Sequence, residues 1–424
     1  MHVQSVSIKN LRSIASTQLH LNDPKDKELR FPNLNVILGD NGSGKSTLLR
    51  AIAMGILAPS LADSGYRPDS MVRRMPEASG RHERPGTAPA RFGSSTVKMS
   101  LDAQDWPESV RDAPENEFLT LTGEVVTRGD FEVFNWKNGK KLSSITHLVD
   151  VFYVKQSAAF FLVGYGATRR VELSERFDPF SRDKARSPRY ARVAGLFEDQ
   201  VTLVPLASWL PEFKSDNKGR YTQLVNLINK LLPENCRLAD LHVTADKQTD
   251  YFFEMNGTRV PFSALSDGFK AYIGWIGDML YHVCMNNPRG KKLVENHGVV
   301  LIDEVDLHLH PAWQRTVLPT LSKALPNVQF IVTTHSPLVV GSLEAANLFV
   351  LENTDKGTIV TRRPEKVHGA SAEQILLSPY FGLDSTRSED VAAELKNLSD
   401  AVNIEDPDTA LQYLRLLAKA KAAS

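Results

Sequence analysis

Eight residues, Gly39-Asp40-Asn41-Gly42-Ser43-Gly44-Lys45-Ser46, restrict what this chain can fold into more than any other segment. They satisfy G-x-x-x-x-G-K-[ST] at every specified position. Glycines let the backbone curl until several N–H groups converge on one anion. The run before them, Asn33 to Leu38, is short, apolar and β-branched, which suits a buried strand. Helix formers follow from Ser46 to about Leu57, so a positive helix end faces the same point. In such a unit Lys45 sets a mobile cation against the β- and γ-phosphates of a nucleotide, and Ser46 offers its hydroxyl to Mg²⁺.

A second strand carries acids. Gly298 to Ile302 is wholly apolar and is followed at once by Asp303 and Glu304. Charge at the end of a buried strand is costly unless a partner meets it, and ligands of open α/β sheets collect at the carboxyl ends of the strands. Asp303 suits the Mg²⁺ shell, commonly through water; Glu304 is then placed to polarise an attacking water as a general base. Alone, the pair would serve equally well as a cap on the next helix. The glycine loop is what turns the reading toward chemistry.

Between these strands the pattern shifts several times. Residues 3–21 read as two short strands around Lys9-Asn10-Leu11-Arg12-Ser13. Pro59 to about Phe92 is rich in Pro, Gly, Ser and Arg without periodicity, and is expected to be a long loop or insertion. Residues 95–155 alternate apolar and polar positions, as in an antiparallel sheet with a hairpin at Asn138-Gly139. Phe160 to Tyr165 reads as a buried strand, 169–192 as polar and arginine-rich, 193–232 as largely helical, and Tyr251 to Val260 as a hairpin about Asn256-Gly257. After a helix from about Asp267 to Met285 come a strand (Gly298–Ile302), a helix (Ala312–Ala324), a strand (Gln329–Val332), a helix, and a strand (Leu348–Leu351). That alternation implies a parallel sheet with crossover helices. The expected division is a nucleotide-binding core at 1–58 and 260–364, a β-subdomain with helical insertion at 59–259, and a C-terminal helical segment at 365–424.

Composition narrows the setting. Lys plus Arg equals Asp plus Glu, 50 against 50, so only local clusters could favour nucleic acid. Cys236 and Cys284 have no metal-type spacing, which fits a reducing, cytoplasmic compartment. Apolar runs are strand-sized, well short of the ~20 residues a membrane helix needs, so no membrane partner is expected. His308 and His310 alternate with no further ligand at zinc spacing.

Leu265-Ser266-Asp267-Gly268-Phe269-Lys270 resembles the LSGGQ signature of ABC-type ATPases, in the LSDG form of SMC- and RecF-like members. The order of glycine loop, sheet insertion, signature, acidic strand and Thr334-His335-Ser336-Pro337 is similar to that family over most of the chain. Asp267, Phe269 and Lys270 depart from LSGGQ. The resemblance implies an α/β ABC-type P-loop NTPase with a mixed central sheet, an antiparallel β subdomain and a helical insertion. It implies ATP and Mg²⁺, with Lys45, Glu304 and His335 catalytic, the last as the switch histidine. Arg12, Asn41, Gly42, Gly44, Lys45, Ser46 and Thr47 would hold the nucleotide, Ser46 and Asp303 the metal. Ser266, Gly268 and Asp306 would reach it across an interface. One chain has one glycine loop and one signature, so two complete sites need a second copy: a homodimer or a higher even-numbered oligomer. The glutamine loop falls either at Gln156 or in Val163-Gly164-Tyr165-Gly166-Ala167-Thr168-Arg169-Arg170.

Gly164 to Arg170, LSDGF and Asp303-Glu304-Val305-Asp306-Leu307-His308-Leu309-His310-Pro311 also resemble stand-alone ATPases of Septu, retron and OLD-like anti-phage systems. That implies a separate effector, a nuclease or other toxin, because 365–424 is too short for a TOPRIM nuclease. The alternative is a RecF-like DNA-repair or chromosome-maintenance ATPase that binds DNA or RNA through arginines of 67–91 and 169–192. A transporter ATPase ranks last.

Overall fold

The residues after the glycine loop are apolar on every side of a helical wheel, and a helix of that kind must be covered all round. Leu48, Leu49, Ile52, Ala53, Met54, Ile56 and Leu57 are all fully buried. The computed structural model describes residues 1–62, 64, 66–76, 83–85, 90–98, 118–137, 161–169, 188–243, 249–286, 292–355 and 357–402. It shows why: the helix lies between two sheets.

The chain begins with β1 (His2–Leu11), β2 (Ile14–His20), β3 (Leu34–Gly39) and the covered helix α1 (Lys45–Ala62). Then follow β4 (Arg74–Pro76), β5 (Glu83–Pro85), β6 (Ala90–Lys98), β7 (Phe118–Arg128), β8 (Phe131–Lys137) and β9 (Leu162–Tyr165). A helical stretch holds α2 (Pro188–Ala191), α3 (Leu206–Asp216) and α4 (Lys218–Leu231), before β10 (Cys236–Val243), β11 (Thr249–Met255) and β12 (Thr258–Pro261). The last part of this unit is α5 (Asp267–Asn286), β13 (Gly298–Ile302), α6 (Pro311–Gln314), α7 (Val317–Ala324), β14 (Val328–Thr333), α8 (Pro337–Val340), β15 (Leu348–Thr354) and β16 (Gly357–Thr361).

One sheet is antiparallel, with order β2-β1-β6-β7-β8; the other is mixed, with order β16-β15-β3-β14-β13-β9. In the mixed sheet β15, β3, β14, β13 and β9 run parallel, and β16 closes one edge antiparallel. Every residue of β13 and β14 is buried, as expected of parallel strands covered on both faces. Buried Gln329 of β14 ties the two sheets together: its Oε1 accepts from Val3 N at 2.8 Å and its Nε2 donates to Val3 O at 2.9 Å. A three-stranded sheet, β10-β11-β12, turns at Asn256 (φ 51°) and Gly257 (φ 80°), the left-handed pair a two-residue hairpin requires.

Several expectations need correction. The stretch from Pro59 to Phe92 is not simply a loop. α1 continues to Ala62, β4 and β5 pair, and β6 starts at Ala90. β6 has weak strand propensity (ARFGSSTVK), but β1 offers it a full edge, with Val6 opposite Ser94 and Ile8 opposite Phe92. Pairing decides such a segment more than propensity does. The helix expected over Ala312–Ala324 is broken into α6 and α7. Pro319 explains it: in a continuous helix its ring would clash with the carbonyl of Arg315, whereas here it sits in the first turn of α7. The Asn138-Gly139 turn and Gln156 lie outside the described residues; β7 and β8 turn at Gly129-Asp130.

The chain divides into two compact units, Met1–Ala370 and Ser371–Ser424. The second contains α9 (Ala372–Leu376) and α10 (Glu389–Val402). α9 starts with a reciprocal cap: Ser371 Oγ accepts from Gln374 N at 3.2 Å, and Gln374 Oε1 accepts from Ser371 N at 2.8 Å.

Candidate functional site

The parallel registers bring three strand ends to one edge. Ile302 of β13 lies beside Val332 of β14, and Thr333 beside Ile37 of β3. The glycine loop, Asp303-Glu304 and His335 therefore leave the sheet together, at the carboxyl edge where such sheets bind ligands.

The loop is shaped as the sequence implies. Gly39, Gly42 and Gly44 have φ of 146°, 78° and 99°. At Gly44 a Cβ would also stand 2.8 Å from Ser13 Oγ, so the β1–β2 turn presses directly on the loop. Asp40, Asn41 and Gly42 are exposed, Ser46 is half-buried in the first turn of α1, and Thr47 is buried. Lys45 Nζ donates to Gly39 O at 2.8 Å and to Asp40 O at 2.9 Å. Burial lowers the Lys45 pKa, while the carboxylates of Asp303, Glu304, Asp40 and Asp306 act to raise it. One ammonium thus sits among four acids.

Asp303 is buried and Glu304 half-buried. Thr333 serves both. Its Oγ1 donates to Asp303 Oδ1 at 2.6 Å and accepts from Glu304 N at 2.7 Å. Glu304 itself has φ 49°, a left-handed conformation that costs a non-glycine residue about 1–3 kcal/mol and persists only where surroundings over-determine it. Thr333→Val keeps the shape but removes the hydroxyl from both partners. It is expected to lower unfolding free energy by about 1–3 kcal/mol in a denaturant titration, with the m-value unchanged.

The signature helix meets the segment after the acids. Ser266 is exposed just before α5, and a Cβ at Gly268 would stand 2.9 Å from His308 O. Phe269 packs edge-on to Trp313 at 4.3 Å between centroids, and Tyr272 stacks on the same ring at 5.9 Å. Thr334 Oγ1 donates to Asp306, and Ser336 Oγ pairs with Gln314 Oε1 at 2.7 Å. Ser336 N also donates to Thr334 Oγ1 at 3.0 Å, so Asp306, the end of α6 at Gln314 and the Thr334–Ser336 turn are one hydrogen-bonded assembly. His335 is half-buried beside it. His310 caps α6, its Nδ1 accepting from Ala312 N at 3.3 Å, and His308 is exposed at φ 64°.

Arg12 lies in the β1–β2 turn, with φ 48°. Its Nε donates to Ser70 O at 3.0 Å and its Nη2 to Asp69 O at 3.4 Å. Burial, then the charge of Arg50, lower its pKa.

Arg169 falls, on sequence reasoning, in a candidate glutamine loop and in an arginine patch for nucleic acid, not among the residues that support the acids. It follows β9 and turns inward: Nε donates to Gly166 O at 3.1 Å, and Nη2 donates to Asp303 O and, at 2.8 Å, to Glu304 O. Its guanidinium lies 5.7 Å from the Trp275 ring of α5. Burial pushes its pKa down to about 10, opposed by Asp303 and Asp306, so it stays cationic at neutral pH. Other arginines of the 169–192 patch are also engaged inside the protein. Arg189 is buried, and Arg192 Nη1 donates to Asn286 Oδ1 at 3.3 Å. Residues 170–187 lie outside the described residues.

Residues 134–341 match the family described as "AAA domain, putative AbiEii toxin, Type IV TA system", and residues 5–85 a second AAA domain family. A retron Vc95 probable ATPase of Vibrio cholerae is 38% identical, over 84% of this chain and 77% of that protein. The chain belongs to the AAA-domain ATPase family of this retron protein. This ATPase is also 24% identical to a Septu protein PtuA of Bacillus mycoides, over 91% of its own length but only 45% of that relative's. Among solved structures, an SMC head bound to the C-terminal winged-helix domain of ScpA covers 86% of the ATPase at 15% identity and a TM-score of 0.49. Among the described residues of the ATPase, no helix is long and apolar enough to cross a membrane.

Proposed function

We propose that this ATPase binds ATP in the Gly39–Ser46 loop, hydrolyses it, and uses the cycle to close and open a pair of identical chains. The observation that carries the reading is the meeting of Lys45, Asp303, Glu304 and His335 at one sheet edge. Lys45 leaves two neutral carbonyls for charged phosphate oxygens. The amides of Asn41 to Thr47 and the N-terminus of α1 take the remaining phosphate charge. The Ser46 hydroxyl and the Asp303 carboxylate would hold Mg²⁺, which would supply positive charge to neutralise the phosphates. Four nearby acids would otherwise repel a triphosphate. Glu304 takes a proton from the attacking water, and His335 lies beside the γ-phosphate. Arg12 approaches the nucleotide from the β1–β2 turn.

The second copy supplies its Ser266–Gly268 helix tip and Asp306. Nucleotide adds contacts between the copies, and hydrolysis with phosphate release removes them. The output is control of a separate effector, a nuclease or other toxin, in anti-phage defence. The names of the retron and Septu relatives support the defence setting.

Ser266→Arg tests the pairing. Ser266 is exposed, so the isolated chain should change stability by less than roughly 0.5 kcal/mol. ATP should double the mass of the wild-type particle in sedimentation and leave that of the variant unchanged. Equal masses for both proteins in ATP would end the two-chain reading. Co-purification of a nuclease encoded beside this ATPase tests the effector.

A further inference from the structure

We infer that Arg169 is a positioning residue for hydrolysis, holding the Asp303–Glu304 turn so that the Glu304 carboxylate keeps one orientation toward the attacking water. The inference rests on the proposed role of Glu304 as base.

The geometry behind it is specific. In an extended strand successive carbonyls point to opposite sides. At the end of β13 they do not. The left-handed Glu304, φ 49°, turns the carbonyls of Asp303 and Glu304 toward the same guanidinium nitrogen. Two converging carbonyl dipoles repel, and a left-handed non-glycine residue adds backbone strain. A cation at the focus of both dipoles offsets each. Arg169 supplies it, anchored through Nε to Gly166 O at 3.1 Å so that its planar fork cannot swing.

The opposite face of the turn is held separately. Asp303 N donates to Tyr165 O at 2.8 Å, Glu304 N to Thr333 Oγ1 at 2.7 Å, and Val305 N to Thr333 O at 2.9 Å. N–H groups thus go to β9 and β14, while the two carbonyls go to Arg169, with Leu307 N also reaching Glu304 O at 3.1 Å. The seat of Arg169 comes from the signature helix. Trp275 of α5 lies beneath the guanidinium, and Asp278, one turn on, accepts from Tyr165 Oη at 2.7 Å and from Val204 N at 2.7 Å. The helix that begins at Ser266–Gly268 therefore also backs the residue that sets the Glu304 turn.

Arg169→Lys keeps the charge and the stem but has no planar fork to bond Gly166 and both carbonyls together. In the full chain it is expected to lower kcat about 10–100-fold, the loss of one charge-assisted hydrogen bond expressed in rate. Affinity for a fluorescent ATP analogue should change less than about twofold, because ground-state phosphate contacts are untouched. Added to Glu304→Gln, Arg169→Lys should slow single-turnover cleavage no further, since both changes remove the same event. Trp275→Phe should give a smaller kcat loss, again at constant affinity, and serves where Arg169→Lys folds poorly. Wild-type kcat in Arg169→Lys, or in Trp275→Phe where that variant stands in, overturns the inference. So does a rate loss matched by an equal loss of affinity, or a further loss in the Glu304→Gln background. Wild-type hydrolysis by Glu304→Gln alone would instead remove the base assignment, and this inference with it.

Discussion

Glu304→Gln is expected to slow steady-state ATP hydrolysis by at least ~100-fold, the usual contribution of a positioned general base, with ATP binding retained. The substitution preserves size and hydrogen-bonding shape and removes only the proton acceptor. The turn itself should survive, because its N–H groups bond Tyr165, Thr333 Oγ1 and Thr333 O, none of which involves the Glu304 side chain. With binding intact and cleavage blocked, chains should accumulate as the ATP-closed pair. Sedimentation with ATP would show a doubled mass that persists for the length of the run, whereas wild type would decay to the single chain as ATP is consumed. Turnover at the wild-type rate would move the base elsewhere, and half-buried His335 would be the next residue to test.

Lys45→Ala acts one step earlier. Its ammonium rests on the carbonyls of Gly39 and Asp40 at 2.8 and 2.9 Å, within the electrostatic reach of Asp303, Glu304 and Asp306. Removing it deletes a cation that bonds charged oxygens, worth about 1.5–3 kcal/mol, and leaves the surrounding carboxylates facing the triphosphate uncompensated. The dissociation constant for ATP should rise about 10- to 100-fold or more, as read by calorimetry. The ATP-dependent doubling of mass should vanish at ATP concentrations that saturate wild type. Unchanged affinity would mean that the loop amides and α1 bear the phosphate alone. The two variants separate binding from cleavage: one loses the pair because nucleotide is not held, the other keeps it because nucleotide is not spent.

How far the sequence reaches can be seen element by element. Asn33 to Leu38, the glycine loop and the start of α1 were legible because strand, turn and helix each carry their own local signature there. Gly298 to Glu304 was legible as a buried strand because its run is wholly apolar, and the acids at its end gained a chemical reading only from the glycine loop elsewhere in the chain. The Asn256-Gly257 hairpin was legible because left-handed turn residues are chemically distinctive. The length of α1 was not, since Ala58 to Ala62 contains a proline and a serine and reads as the start of a loop. The antiparallel sheet expected from residue 95 onward includes the second half of β6, but its first half, from Ala90, was not legible, because those residues are poor strand formers and the partner of β6, β1, lies 82 to 96 positions earlier in the chain. The helix break before Pro319 was written in one residue and was overlooked amid an otherwise helical pattern.

The chemistry shows the same division. The residue types for phosphate binding, metal coordination and proton transfer, and their order along the chain, are local properties that a linear reading can recover. What the linear reading could not recover is which groups complete one another across the fold. Thr333 bridges the two acids, Phe269 meets Trp313, and Arg169 bonds two carbonyls well over a hundred residues away. Such contacts leave no periodicity or spacing, because side-chain donors find backbone acceptors only after the parallel registers of β9, β13 and β14 have aligned their ends. Local chemistry determined which residue types this chain offers and in what order; the packing of its sheets decided how firmly the Asp303–Glu304 turn is kept.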